Sequence, residues 1–424
     1  MTDDAFRTVE GHAGGRKPHA IVSELAADSS ASIAIVPDHG RRQSTRGADN
    51  PGQDLHVSAK TQLPLQFATH AAAAVPTVGL FFGGRSAEHE VSIRSAAHLH
   101  AALRDAGYWV VPVGIERSGV WRYMPLTGSA FHREVDPRAC AVAFAPGGTG
   151  QLMACDGSDI AAGLPRVDVA FPALHGPFGE DGCLQGLFET CGVPYVGAGV
   201  LAGAVTMDKE VTKRLLMQAG LPVVPYRLHR CGTSAPTWQP MSDNLGPRLY
   251  VKPASLGSSI GTAPADDEAS FDRALAGALE HGDKVLIERR VIGRELECGV
   301  LETSDGPIAS VVGEIIAGTE HAFYDYDAKY AADSPATVEV PARLAPETAS
   351  RIRAMAVDAF EVLGCRGLAR VDFFLGEHGE LFVNEVNTLP GFTSISLFPR
   401  LFEASGVSIA NQVMRLVELA LARA

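Results

Sequence analysis

Leu368-Ala369-Arg370-Val371-Asp372-Phe373-Phe374-Leu375 and, beyond a Glu377-His378-Gly379 turn, Leu381-Phe382-Val383-Asn384-Glu385-Val386-Asn387 carry more structural information than any other stretch of the chain. Two apolar segments separated by turn residues predict an antiparallel hairpin. Side chains two apart share a strand face, which groups Arg370 with Asp372 and Glu385 with Asn387. One face would then present two carboxylates and an amide oxygen beside an arginine, a hard-oxygen set suited to Mg2+ shared with nucleotide phosphate. The competing reading is a solvated surface ion pair. It fits poorly with charges set inside a run that also carries Phe373 and Phe374.

Further upstream, Lys252 lies near the end of the predicted strand Leu249–Ala254, and Ser255-Leu256-Gly257-Ser258-Ser259-Ile260-Gly261 follows. Such a loop can offer N–H groups and hydroxyls to phosphate while Lys252 supplies a point charge. An ordinary flexible turn explains the same residues equally well. Taken singly, Lys209 in Met207-Asp208-Lys209 reads as a solvated lysine, Glu88 as an acid favoured by a helix N-terminus, and His175 as a loop histidine. A P-loop is excluded, because no G-x-x-x-x-G-K-[ST] occurs. Gly197 to Gly203 has the spacing G-x-G-x-x-x-G with no ribose-binding acid about 20 residues on, and reads as a packing turn before a dinucleotide site.

Around these segments the chain organises into three folded parts. Thr77-Val78-Gly79-Leu80-Phe81-Phe82 is a buried strand leading into Gly83, Gly84 and a helix from about His89, and further strands at Tyr108–Ile115 and Val167–Leu174 give a parallel α/β pattern. The 117–165 region is punctuated by Gly and Pro and has no clear order. The uncharged stretch Thr190–Met207 is too rich in glycine to span a membrane and reads as a Gly-rich loop. Residues 199–290 form a smaller α+β unit and 291–424 a mostly antiparallel third domain, after an N-terminal domain at 76–198. Residues 1–75, with Phe6 and Phe67 as their only aromatics, predict a disordered extension.

A length of 424 residues with 46% hydrophobic and 20% charged residues describes a folded multidomain protein. The net charge of -13, from 36 Lys+Arg against 49 Asp+Glu, argues against a nucleic-acid partner, so any anion must be held by a few placed cations. The seven scattered cysteines form no C-x-x-C pair, and the first residues contain no secretory core. Both features point to a cytoplasmic protein with no membrane partner.

Gly84–Ser92 (GRSAEHEVS), Ala173–Gly182 (ALHGPFGEDG), Met207–Lys209, Val251–Gly261 (VKPASLGSSIG), Phe323–Tyr330 (FYDYDAKY), Gly367–Phe374 (GLARVDFF) and Asn384–Ser396 (NEVNTLPGFTSIS) appear in one order and spacing. In that arrangement the chain resembles the D-alanine:D-alanine ligases of the ATP-grasp superfamily over essentially 77–424. The resemblance implies an α/β and α+β multidomain enzyme, an ATP-grasp fold with an N-terminal Rossmann-like domain, in the cytoplasmic synthesis of peptidoglycan precursors. It implies ATP-driven formation of a D-alanyl phosphate, attack by a second D-alanine, two Mg2+ (or Mn2+) ions and a homodimer.

By the same resemblance Lys209 and Lys252 match phosphate-binding lysines, with Ser259 in the loop beside them. Glu288 and Glu295 match residues around adenine and ribose, and Asp372, Glu385 and Asn387 match the metal ligands. Glu88 and His175 match residues at the first D-alanine, and Ser396 and Leu397 match the segment that holds the carboxylate of the second. Arg370 and the Gly391 N–H match groups that stabilise the acyl phosphate and the tetrahedral intermediate. Ser258 and Tyr330 match a pair that closes a lid with Glu88, and Lys329 a lysine on the transferred phosphate. Tyr330 resembles the dipeptide-forming type of lid, although the GCRGLARVD and NEVNTLPGFTS segments also resemble ligases that use other acceptors. Two alternatives therefore stand: a D-lactate or D-serine acceptor, and a non-catalytic nucleotide-binding regulator. Arg290 departs from the family in standing where an aromatic beside adenine is common.

Overall fold

The computed structural model describes residues 75–128, 130–157, 163–257, 260–316 and 337–423. The expected extension up to residue 74, and the positions Ser258, Ser259, Lys329 and Tyr330, lie outside the described residues.

The N-terminal part runs β1 (Thr77–Gly83), α1 (His89–Asp105), β2 (Trp109–Ile115), β3 (Trp121–Tyr123), β4 (Val142–Phe144), β5 (Leu152–Ala154), β6 (Val169–Pro172) and α2 (Cys183–Cys191). Its main sheet has the order β3-β2-β1-β6, with β1 parallel to both β2 and β6 and β3 antiparallel at the edge. A strand covered on both faces reads as a continuous apolar run, which is why Leu80, Phe81 and Phe82 are consecutive and all buried. Phe81 points into an aromatic nest with Trp121, Phe144 and Phe188. Leu80 and Phe82 face α1, whose Ile93, Ala96, Leu99 and Leu103 make an apolar stripe at helical spacing. The unordered 117–165 region contains β3 and the small β4–β5 hairpin.

The middle part comprises α3 (Val200–Met207), α4 (Lys209–Gln218), β7 (Tyr226–Arg230), α5 (Trp238–Leu245), β8 (Leu249–Pro253), β9 (Ala263–Ala265), α6 (Glu268–Leu279) and β10 (Lys284–Arg289). The reading of Thr190–Met207 as a loop is corrected here, since its second half is helix α3. Gly203 serves close packing rather than a turn, because a Cβ there would lie 2.8 Å from the Glu180 carbonyl oxygen. Gly197, with φ +102°, does make a turn. Helix α5 was not legible in the sequence. The sheet is antiparallel in the order β7-β10-β8-β9. Leu249, Val251, Val285 and Ile287 face Phe271, Ala274 and Leu275 of α6, which leaves Lys252 and Glu288 on the opposite face.

The last part contains β11 (Gly293–Leu301), β12 (Ile308–Ile316), β13 (Thr337–Glu339), α7 (Pro346–Val362), β14 (Leu368–Gly376), β15 (Leu381–Asn387), α8 (Leu397–Ala404) and α9 (Ile409–Ala422). Its sheet is antiparallel throughout, ordered β13-β12-β11-β14-β15. Pro346 opens α7 at a position where its missing N–H costs nothing. Ile352, Met355, Ala356, Ala359 and Phe360 then pack on Leu296, Cys298, Val371 and Phe373. Burial pushes the Cys298 and Cys365 thiols up to about 12, so both behave as core hydrophobes. Val413, Leu416 and Val417 of α9 join the core formed by α1 and β1, which ties the end of the chain to its first folded part.

Candidate active site

With one face of the last sheet buried under α7, the other carries the polar residues. Arg370 stands opposite Asn387 and Asp372 opposite Glu385. A bulge after Asp372 leaves Asn384 as an extra residue in β15. Leu381 and Val383, before the bulge, point into the core, and plain alternation from them would send Glu385 there too. The bulge turns Glu385 and Asn387 to the polar face. Glu297, directly across from Asp372 on β11, joins them, and Glu295 lies two residues along the same strand face.

Arg370 forks onto Asp372 through Nε to Oδ1 at 2.7 Å and Nη2 to Oδ2 at 2.8 Å, and its Nε is 2.8 Å from Glu297 Oε2. Burial disfavours the guanidinium charge, yet the carboxylates of Asp372 and Glu297 outweigh it and hold the pKa well above its ordinary value. Asn387 Nδ2 donates to Asp372 Oδ2 at 3.0 Å. No group of three or more His, Cys, Asp or Glu side chains fit for a metal occurs among the described residues. The candidate set is two carboxylates and the amide oxygen of Asn387, and hard oxygen donors of this kind fit Mg2+ that completes its shell with phosphate and water.

The middle part faces this sheet with lysines. Asp208 caps α4 by accepting from the N–H groups of Glu210 and Val211. Lys209, the first residue of α4, bonds the base of the Gly/Ser loop twice: its N–H to Ala254 O at 2.8 Å and its Nζ to Leu256 O at 2.6 Å. Its Nζ also lies 3.4 Å from Glu385 Oε2. Lys209 is therefore largely enclosed, not the solvated lysine that its position alone suggested. Lys252 reaches Asn384 Oδ1 at 3.3 Å and Glu288 Oε2 at 2.9 Å. Glu288 is buried with its second oxygen 2.9 Å from Lys213 Nζ. Arg290 bridges to Asp266 at 3.3 Å.

From the N-terminal part come Glu88, His175 and Glu180. Glu88 is the N-cap residue just before α1 and is buried, with its N–H on Ser86 Oγ at 3.2 Å. A Cβ on Gly176 would come within 3.1 Å of Glu88 Oε2, and one on Gly257 within 3.6 Å. The Gly/Ser loop therefore approaches Glu88 from across the cleft. His175 Nδ1 faces the Leu389 carbonyl oxygen at 3.1 Å and must donate to it, which leaves Nε2 to accept from Ser95 Oγ at 3.1 Å. Burial pushes the His175 pKa down, so the ring is neutral.

Glu180 accepts from Gly176 N at 2.7 Å and from Leu389 N at 3.3 Å, and burial followed by the Glu88 charge pushes its pKa up to about 8 from 4.5. The folded state thus holds a proton that the unfolded chain releases between these values, and stability falls as pH rises through that window. Glu180→Gln abolishes this slope. Urea unfolding between pH 5 and 8 should show the variant gaining on the native protein as pH rises, and parallel curves would contradict the assignment.

The loop after β15 carries the remaining groups. Leu389 is held by His175 and Glu180, and Phe392 N donates toward Ser95 Oγ at 3.5 Å. The Gly391 N–H is thereby positioned from the N-terminal part. Ser396 Oγ accepts from Thr393 N at 2.9 Å and would sit 2.7 Å from a Cβ on Gly391. Leu397 buries its side chain against Ile315 and Leu401, so only its backbone N–H, in the first turn of α8, can meet a carboxylate.

The structure thus gathers Glu88, His175, Lys209, Lys252, Glu288, Glu295, Arg370, Asp372, Glu385, Asn387, Gly391, Ser396 and Leu397 around the meeting of the three parts. Glu297, Lys213, Glu180 and Ser95 were not singled out in the sequence. Glu297 follows Glu295 by two and Lys213 follows Lys209 by four, and both periods could have flagged them. Ser95 gives no such signal, since its partner lies 80 residues away.

Two family models match the chain, D-ala D-ala ligase N-terminus over residues 77–198 and D-ala D-ala ligase C-terminus over 215–418. The chain is 47% identical over 349 residues to D-alanine--D-alanine ligase A of Pseudomonas putida, covering 82% of this chain and 97% of the relative. It is 48% identical over 357 residues to D-alanine--D-alanine ligase of Nocardia farcinica, with the same coverage. The crystal structure of VanG D-Ala:D-Ser ligase from Enterococcus faecalis superposes with a TM-score of 0.71 at 33% identity, covering 82% of this chain and 99% of that one. With both halves matched, and an antiparallel sheet pair that meets its lysines and carboxylates across one cleft, the chain belongs to the D-ala D-ala ligase family and has the ATP-grasp fold.

Proposed function

We propose that the protein joins two D-alanines into D-alanyl-D-alanine, using ATP and releasing ADP and phosphate, in cytoplasmic peptidoglycan precursor synthesis. The observation that carries this reading is the convergence of Arg370, Asp372, Glu385 and Asn387 with Lys209 and Lys252 on one side of a cleft, with Glu88 and His175 on the other. Relatives named D-alanine--D-alanine ligase share 47% and 48% identity with this chain over nearly their whole length, which favours D-alanine as acceptor.

In the first step a carboxylate oxygen of one D-alanine attacks the terminal phosphorus of ATP, and the bond to ADP breaks. Lys209 and Lys252 draw in the phosphates, while Glu288 and Glu295 lie on the nucleotide side. Glu88 pairs with the substrate ammonium and leaves the reacting carboxylate untouched. In the second step the amine of another D-alanine attacks the acyl carbon, loses a proton and expels phosphate. Arg370 and the Gly391 N–H stabilise the charge that develops on oxygen. The Ser396 and Leu397 segment orients the acceptor carboxylate.

Asp372, Glu385 and Asn387 would hold two Mg2+ ions, which supply neutralisation of the phosphate charge when bound. An acyl phosphate hydrolyses readily, so water has to be kept from it once it forms. The enzyme acts as a homodimer.

Incubation with ATP, Mg2+, D-alanine and equal D-lactate and D-serine at neutral pH, followed by mass spectrometry, tests the reading. D-alanyl-D-alanine is the expected main product. A depsipeptide or a mixed dipeptide would overturn the acceptor assignment, and the absence of any ADP release would overturn the ligase.

A further inference from the structure

Three charged side chains meet in a row beneath the nucleotide side of the cleft. Glu288 Oε1 lies 2.9 Å from Lys213 Nζ, and its Oε2 lies 2.9 Å from Lys252 Nζ. Lys213 is 0% exposed, so it cannot touch a nucleotide itself. Its other neighbours are the Val224 carbonyl oxygen at 3.3 Å and the Tyr226 ring, 5.5 Å from Nζ to centroid. Lysines are seldom fully buried, because desolvating the ammonium is expensive unless a partner offsets it. A hydrophobic residue at this point of α4 would fill the space beside Val224 and Tyr226 as well, if packing were the only requirement.

The charge count explains what the ammonium adds. Glu288 contributes one negative charge and the two lysines two positive ones, so the row keeps one net positive charge on its Lys252 end, toward the Gly/Ser loop. Without Lys213 the row is neutral, and both Glu288 oxygens are available to Lys252.

We propose that Lys213 is a positioning residue for nucleotide binding: by occupying one oxygen of Glu288 it keeps the Lys252 ammonium net cationic and aimed at the phosphates. The proposal rests on the reading of Lys252 as a phosphate-binding lysine. Lys213 remains charged at neutral pH, since burial pulls its pKa down only to about 8 while Glu288 opposes the shift and Lys252 and Lys209 add to it. Glu288 is held ionised against its burial by Lys213 first and Lys252 second.

The test is a double-mutant cycle read by calorimetric titration of the full-length protein with ATP and Mg2+, in the absence of D-alanine. Lys213→Met should weaken ATP binding about tenfold or more, a coupling of the size found for charges in direct contact. Lys213→Arg should stay within about threefold of the native protein, because it restores the cation. In the Glu288→Gln background, adding Lys213→Met should change ATP affinity less than about twofold, because no carboxylate is left to capture Lys252. A purely structural lysine would cause the same loss in both backgrounds, and that result overturns the proposal. If Lys213→Met alone fails to fold, the comparison of Glu288→Gln with the double variant decides: equal affinities support the proposal and a tenfold gap overturns it. ATP binding that depends on Lys213 in this pattern, without any dipeptide formed in the product assay, would separate failure of the ligase reading from failure of this one.

Discussion

Arg370→Ala lowers kcat roughly a thousandfold, the upper range for removing one preorganised group from an oxyanion site. The expectation follows from where the guanidinium sits. It is on β14 facing Asn387, anchored by the two-point fork to Asp372 and flanked by Glu297. Its geometry is therefore set before substrate arrives, and little reorganisation is needed as charge develops.

The same substitution leaves Glu297 and Asp372 close together in a mostly buried site, so unfolding free energy should fall by about 3–5 kcal/mol as well. The two effects separate experimentally. Adding Glu297→Gln to Arg370→Ala should recover part of the stability in urea unfolding but none of the turnover. Arg370→Lys keeps the charge and loses the fork, and should fall between the two. A well-folded Arg370→Ala protein within tenfold of native kcat would remove Arg370 from the reaction.

The second large effect belongs to the carboxylates across the hairpin. Asp372→Ala and Glu385→Ala should each lower kcat about a hundredfold to a thousandfold, the consequence of losing several kcal/mol of metal-assisted charge stabilisation. Each should also raise the Mg2+ concentration for half-maximal activity by at least about tenfold. Glu385→Ala additionally releases Lys209, which now lies 3.4 Å from the carboxylate, so its KM for ATP should change more than that of Asp372→Ala. Titration of Mg2+ at saturating ATP distinguishes the cases. An unchanged Mg2+ profile in both variants would mean that the polar face of the hairpin does not hold metal.

The depth to which the site was legible differs residue by residue, for physical reasons. Arg370 and Asp372 were readable because a strand places side chains two apart on one face whatever surrounds it. The position of Glu385 was predicted for a reason that the structure replaces. Alternation grouped it with Asn387, but it also grouped it with Leu381 and Val383, which are core; the bulge at Asn384 resolves the conflict by turning the end of β15 over. Helix α3 was missed because Gly203 and the glycines just before the helix looked like loop residues, whereas Gly203 is small so that the backbone at Glu180 and Gly182 can approach.

Local pattern and collinear motifs sufficed for most of the longer strands and helices of the three parts, the ligase family and most of the polar residues, because periodicity and turn chemistry act over a few neighbouring residues. Long-range packing settled the rest. The ion pair of Arg370 with Glu297, the sharing of Glu288 by Lys213 and Lys252, and the bonds from Ser95, His175 and Glu180 to the loop at Leu389–Phe392 each join segments far apart in the chain. No local rule encodes such pairings, since burial and neighbouring charge exist only once the parts have come together.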